Sequence, residues 1–368
     1  MREKLNKKNN VLILTQKVDE DDPVLGFFHA WICEFAKYFE KVTVICLEKG
    51  DYHVPENVRV FSLGKESQGS NVKGQTLRRI TYSIRFLRYI VRMRYDYDAV
   101  FVHMNPEYVV LGGLAWRFLR KRVGLWYVHR QVNVKLWIAE KFTHIVFSTS
   151  PEAFRLKSNN VNFVGHGVDF SRFPPKPVSA FHDPIQILHV GRITPIKNLD
   201  ILVEAANILK NTWNKKFKIV LAGAPRTEGD KKYAEKLKDS IARRNLGDAI
   251  FFKGNVLFTE IVSLYHQADI SVNLTPTGGM DKAVLESIAS GTVALSANKA
   301  FESLFGTYTG YLLYNERDAN DVAKKIISIN EMSDAERLSI QKYLYERVRK
   351  DFDVENLIKR IVFLLKGA

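Results

Sequence analysis

Two doubly wound α/β domains, each a parallel sheet covered on both faces by helices, are what this 368-residue sequence predicts. Three observations carry that expectation. Strand-like and helix-like runs alternate along nearly the whole chain. The alternation breaks once, at 165–182, and then restarts. The length is large for one hydrophobic core and ordinary for two.

In the first half, short apolar and β-branched runs at 11–15, 42–47, 58–63, 98–103, 123–128 and 143–147 read as strands. Helical periodicity lies between most of them, over 24–39, 74–95 and 107–119. The segment GHGVDFSRFPPKPVSAFH holds two Gly, three Pro and no period, and reads as a linker. Beyond it, strands at 185–190, 218–222, 249–252, 270–274 and 292–295 alternate with helices near 198–211, 229–245, 259–267 and 281–290. From 318 onward the pattern is mostly helical. The predicted boundaries are a first domain over 1–166, a second over 167–350 and a last helix over 351–368. Two such domains facing each other leave a central cleft, and ligands of these sheets bind at the C-terminal ends of strands.

An apolar content of 46% with 26% charged residues fits a globular protein. The net charge of +15 points to an acidic partner: nucleic acid, an anionic membrane surface or a phosphorylated substrate. No nucleic-acid recognition module or base-stacking platform accompanies the charge, so nucleic acid is not expected. Cys33 and Cys46 are isolated, with neither metal-ligand spacing nor a disulfide framework, which fits a reducing compartment. The basic start is followed by only four apolar residues, VLIL, where a secretory segment needs roughly 7–15. No run approaches the ~18–20 apolar residues of a membrane span. The expected location is the cytoplasm, with any membrane contact peripheral, at the inner face.

Chemistry concentrates in two segments. In ILHVGRITPIK, 187–197, a buried strand stops at Gly191, Arg192 follows, and Lys197 precedes a helix. Gly lets the backbone approach a ligand, and two cations beside a helix start suit an anion, most often phosphate. Two surface cations in an ordinary loop is the competing reading. In TPTGGMDKAVLESIASG, 275–291, a strand is followed by a glycine turn and a helix ending at Gly291, with Glu286 inside it. A solvated helix and a plain turn is the alternative there. Asp19-Glu20-Asp21 has the look of an Asp-x-Asp metal motif, but with Asp22 beside it reads as a solvated acidic loop, so no metal is expected.

Together these segments resemble glycosyltransferase family 4, whose fold is the two-domain GT-B type. Gly191, Arg192, Lys197, Glu286 and Gly291 stand at the family's motif positions, GHGVD resembles its Asn-Gly-Val-Asp turn, and RKDFDVENLIKRIVFLLKG is similar to its last helix, which crosses back to the first domain. The resemblance implies a retaining hexosyltransferase that moves sugar from a nucleotide diphosphate sugar, of uridine or guanosine type, to a hydroxyl of a glycan or lipid-linked acceptor in envelope polysaccharide or glycolipid synthesis. It implies no cofactor. Arg192 and Lys197 would hold the diphosphate and stabilise the charge that develops on it. Glu286 would meet the ribose, Gly279, Met280 and Lys282 would line the donor site, and Asn255 and Val256, after Gly254, would lie at the base. In the first domain, Gly26 takes the place of the family's glycine-rich loop, Asn105 faces the cleft, and His129, ending the strand VGLWYVH, would touch donor sugar or act in catalysis; His103 is expected inside the sheet. The first Glu of the family's Glu-x7-Glu is Gly278 here. Asp281 either supplies the missing carboxylate or merely caps the helix. A GT-B epimerase or hydrolase, or a non-catalytic sugar-nucleotide binder, remains the alternative.

The positive charge is uneven. Residues 1–166 hold 26 Lys/Arg against 16 Asp/Glu, and the remainder 29 against 24. Within 73–95 there are seven cations and no acid. Arg78, Arg85, Arg88 and Arg92 share one helical face, Ile80, Ile84, Leu87 and Val91 another, and Tyr82, Phe86 and Tyr89 add aromatics suited to an interface. That pattern fits a helix lying on an anionic bilayer; a helix packed on its own sheet with a solvated basic face is the other reading.

Overall fold

The computed structural model describes residues 10–67, 75–177 and 180–367. The chain divides into two compact units, one formed by residues 1–167 and 354–368, the other by 168–353. Each is an open parallel sheet with helices on its faces.

The first unit runs β1 (Val11–Val18), α1 (Gly26–Ala36), β2 (Val42–Lys49), β3 (Val58–Ser62), α2 (Gln75–Arg92), β4 (Ala99–His103), α3 (Pro106–Phe118), β5 (Arg122–Trp126), α4 (Val134–Phe142), β6 (Ile145–Ser148) and β7 (Val161–Phe163). Its seven strands are ordered β3-β2-β1-β4-β5-β6-β7, all parallel. Alternation along each strand sorts side chains between two cores. Val11 and Ile13 face one, with α1; Leu12 and Leu14 face the other, with α2, α3 and α4. The first core is completed from the far end of the sequence by α13 (Val354–Lys366), which buries Leu357, Ile358, Ile361, Val362 and Leu365 against α1, β5 and β6. Each such side chain contributes about 1.5–3 kcal/mol.

The second unit runs β8 (Ile185–Val190), α5 (Leu199–Thr212), β9 (Phe217–Ala222), α6 (Glu228–Arg243), β10 (Ile250–Gly254), α7 (Ile261–Gln267), β11 (Ile270–Asn273), α8 (Lys282–Ala289), β12 (Val293–Ser296), α9 (Glu302–Phe305), α10 (Thr309–Leu312), α11 (Ala319–Glu331) and α12 (Asp334–Phe352). Its sheet order is β10-β9-β8-β11-β12. The order reverses between β8 and β11, which pair although several elements apart in sequence. Such a switch point is where sheets of this kind take ligands.

Four differences from the sequence reading have physical causes. Strand β7 has only three residues at a sheet edge, too short for a period to show. Helix α4 was not anticipated because it buries only Leu136, Ala139 and Glu140 and leaves Val134 and Trp137 exposed; Asn133 starts it by accepting the Leu136 N–H at 2.9 Å. The segment 165–182 does carry the passage between units, at 167–168, but it is packed where it is described. Phe173 is buried against Phe258 and Tyr265, and the Val168 N–H donates to the Phe352 carbonyl at 2.7 Å.

The fourth concerns α2. The helix meets its sheet through Phe86 and Ile90, followed by Met93 just past its end, with Tyr82 and Tyr89 partly buried beside them. The aromatics therefore point inward, and Ile80, Ile84, Leu87 and Val91 are exposed. Arg85 is turned in as well, donating to the Leu63 carbonyl. Lys73 and Gly74, at the start of the basic segment, lie outside the described residues.

Candidate active site

Three neighbouring strands of the second unit end on glycines. The Gly191 N–H, after β8, donates to the Ala222 carbonyl at 2.9 Å, and the Gly223 N–H, after β9, donates to Gly254 at 2.8 Å. Gly223 has φ +142°, and a Cβ there would overlap the Gly191 carbonyl oxygen. At Gly223 the ends of β8 and β9 thus lie backbone against backbone, with no room for a side chain. Gly254, at φ +78°, turns the chain into Asn255, which is exposed, and Val256, which is buried.

After Gly191 the chain makes a short 3-10 turn, Pro195–Lys197, closed by Asn198 at φ +45°. Asn tolerates the left-handed region better than most residues, and its Nδ2 donates to the Leu274 carbonyl at 3.1 Å, tying the turn to the end of β11. This places Lys197 against the start of α8. Its Nζ donates to the Asp281 carboxylate and to Thr275 Oγ1, the latter at 3.1 Å. Asp281 also accepts from Asn273 Nδ2 at 2.9 Å and Thr275 Oγ1 at 3.0 Å. Burial pushes the Asp281 carboxyl up, but the Lys197 charge and the three hydrogen bonds outweigh it and hold the group well below the usual carboxylate range. Asp281 stands at the N-cap position of α8 yet its side chain takes no helix N–H. The helix-capping reading of Asp281 is therefore corrected: its side chain takes no helix N–H and fixes Lys197 instead.

Arg192 is exposed and makes no side-chain hydrogen bond or ion pair among the described residues. The structure thus brings Gly191, Lys197 and Asp281 together and leaves the Arg192 guanidinium in solvent beside them.

Beneath this loop lies His189, fully buried at the end of β8, which sequence reading passed over as part of an apolar run. Its Nδ1 is 2.9 Å from the Val272 carbonyl, so Nδ1 carries the proton. Burial first, then the Lys197 charge, pushes its pKa down to about 4, keeping the ring neutral. Nε2 lies 3.2 Å from where a Gly191 Cβ would sit.

The glycine turn before α8 is clamped by another unanticipated residue. Asn298, fully buried, accepts the Gly278 N–H at 3.2 Å and donates Nδ2 to the Gly279 carbonyl at 3.0 Å. Met280 follows, half-buried. Within α8, Lys282 and Glu286 are one helical turn apart. Burial pushes the Glu286 carboxyl up and the Lys282 ammonium down, each attracting the other's charged form. Tyr265 Oη donates toward Glu286 Oε2 at 3.4 Å.

The remaining candidates lie in the first unit, at the C-terminal edge of its sheet. Gly26 is the buried first residue of α1, and its N–H donates to the Asp22 carbonyl at 2.9 Å. Asn105 lines a cavity of about 520 Å³ between α2 and α3. His103 ends β4, buried and stacked on Phe28 at 4.0 Å. His129 does not end a strand: β5 stops at Trp126, and His129 sits three residues on, exposed, its Nδ1 accepting the Gln131 N–H at 3.0 Å. The strand ends early because the Val128 N–H turns to Met104 Sδ instead of a neighbouring strand. The acidic loop is also more than solvated. Lys17 pairs with Asp19 at 2.8 Å and Asp22 at 3.0 Å, and Glu20 meets His53 at 2.8 Å.

Residues 172–347, nearly all of the second unit, match the family described as Glycosyl transferases group 1. Among curated proteins, the chain is 26% identical over 208 residues to the putative colanic acid biosynthesis glycosyltransferase WcaL of Escherichia coli, covering 55% of this chain and 50% of that protein. It is 27% identical over 183 residues to the alpha-monoglucosyldiacylglycerol synthase of Streptococcus pneumoniae, covering 48% and 37%. The chain thus spans half or less of the length of these relatives. Among solved structures, Anabaena HepE in complex with UDP and glucose superposes with a TM-score of 0.74 at 17% identity, covering 98% of this chain and 100% of that one. The sucrose-phosphate synthase of Thermosynechococcus elongatus gives 0.74 at 17%, covering 97% and 98%. The fold of two Rossmann-like units is shared with both.

Proposed function

We infer that this chain is a glycosyltransferase that moves a hexose from a nucleotide diphosphate sugar to a hydroxyl of a glycan or lipid-linked acceptor. The observation that carries the reading is the Lys197 ammonium, held by Asp281 and Thr275 at the ligand-binding edge of the unit that matches Glycosyl transferases group 1, with exposed Arg192 beside it. HepE was solved with UDP and glucose, and the relatives include enzymes named for polysaccharide and lipid glycosylation, which supports a nucleotide donor and an acceptor of that kind.

The chemistry follows from charge. When the bond between the anomeric carbon and the diphosphate oxygen breaks, negative charge collects on the departing diphosphate. Lys197 is already positioned, so little reorganisation is needed as that charge develops. Arg192 closes on the same oxygens from solvent. The acceptor oxygen bonds to the anomeric carbon, and its proton passes to a departing phosphate oxygen. Attack on the face the leaving group vacates gives retention. Side chains meet the leaving charge in this reading, with no metal ion. Glu286 receives the ribose, and the backbone after Gly254 receives the base.

The test is nucleotide release. With the correct sugar nucleotide, free nucleoside diphosphate is expected to accumulate only when an acceptor is added. Release without acceptor would mark a hydrolase or epimerase, and binding with no release a sugar-nucleotide binder.

A further inference from the structure

Helices α2, α3 and α4 pack side by side on the same face of the first unit's sheet and share one core, so their outer sides form a single surface. That surface is unusually apolar. From α2 it exposes Leu77, Ile80, Ile84, Leu87 and Val91. From α3 it exposes Leu111, Leu114 and Phe118, the last at 87%, and from α4 Val134 and Trp137. Isolated exposed apolar residues need no explanation, but a contiguous patch marks an interaction site.

Cations accompany it. Helix α2 carries five arginines and no acid, and Arg88 and Arg92 lie exposed along the apolar stripe. Arg117 and Arg120 are exposed at the end of α3. Its acids are already matched: Glu107 pairs with Lys135 at 3.0 Å and Glu140 with Lys141 at 3.1 Å. A second copy of this chain would bring arginines against arginines. An anionic bilayer answers both features, taking the apolar side chains among its acyl chains and the cations at its headgroups.

We propose that α2, α3 and α4 together are a membrane-docking face that seats the first unit on an anionic lipid surface. The cavity between α2 and α3 includes Leu111 in its lining, along with Arg79 and Lys135. Docking therefore sets its mouth at the headgroup layer, where the polar end of a lipid-borne acceptor lies.

The experiment uses the full chain with two kinds of vesicle, phosphatidylcholine alone and phosphatidylcholine mixed with phosphatidylglycerol. The expected result is co-sedimentation with the mixed vesicles only, released by salt. The variants Leu114→Asp with Phe118→Asp, and separately Trp137→Asp, lie off the basic helix and are expected to weaken binding about tenfold. Their melting temperature and their stabilisation by nucleotide should match the parent, which separates this face from the donor site. No binding to mixed vesicles overturns the proposal, as does unchanged binding by the α3 and α4 variants. A solution dimer abolished by the same variants, without vesicle binding, would give the face to a second copy and also overturn it.

Discussion

The Lys197 ammonium is bonded to the Asp281 carboxylate across 84 positions of sequence, joining the loop after β8 to the start of α8. Each side chain is about one-sixth exposed, at 14% and 18%. The pair is therefore both a structural tie and the means by which the Lys197 ammonium is aimed. Lys197→Ala leaves a desolvated carboxylate without its charge partner. The expected loss is about 3–5 kcal/mol, at the lower end because water still reaches the site. Thermal unfolding measures it, and nucleotide should no longer raise the melting temperature.

Asp281→Asn keeps the shape and removes the charge. Lys197 then samples solvent, and kcat/KM is expected to fall about tenfold or more, since a misplaced group loses much of its effect. Turnover and donor choice equal to the parent's would show that Asp281 plays no part in positioning Lys197.

The pair also sets an acid limit. Asp281 is depressed in the folded state, so it binds a proton less readily than in the unfolded chain. Its stabilisation is full above the ordinary Asp value, near 4, and is lost as pH falls below that. Melting temperatures taken downward from pH 5 should fall more steeply for the parent than for Asp281→Asn.

Arg192 makes the opposite prediction. Its side chain is exposed and without a hydrogen-bond partner among the described residues, so Arg192→Ala should leave stability within about 0.5 kcal/mol. Losing a charge-assisted contact to phosphate should weaken nucleotide affinity about tenfold or more. Calorimetric titration with nucleoside diphosphate checks both arms against the same sample.

Gly223 tests the packing under the site. With φ +142° and the Gly191 carbonyl where a Cβ would go, Gly223→Ala is expected to cost about 2 kcal/mol or more and to displace the Gly191 loop. Gly247→Ala, which meets nothing within 4 Å, should leave the melting temperature and nucleotide binding unchanged.

Much of this was written in local pattern. Parallel strands buried on both faces leave apolar runs, and the helices between them leave a 3.6-residue period, so nearly every long element could be placed. Gly191 and Lys197 were visible for the same reason: glycine and charge at the end of an apolar run stand out. What stayed hidden depends on partners far apart in sequence. Nothing local to Asp281 says that Lys197 will meet it, and nothing near Asn298 says that it clamps Gly278 and Gly279. His189 was hidden because a histidine on a buried strand looks like any core residue until its neighbours are known. Helix α2 misled differently, having two apolar sides, of which the less aromatic one is left outside.

The chain passes between its units at 167–168 and again at 353–354, and α13 closes the core that β1 and α1 began. During synthesis, therefore, the core of the first unit cannot close until α13, made after the whole second unit, has left the ribosome. Val11, Ile13, Phe28 and Ile32 wait with an unfilled face while the whole second unit is translated and folds inside the interval. A premature stop at 353 would spare the later unit and ruin the earlier one.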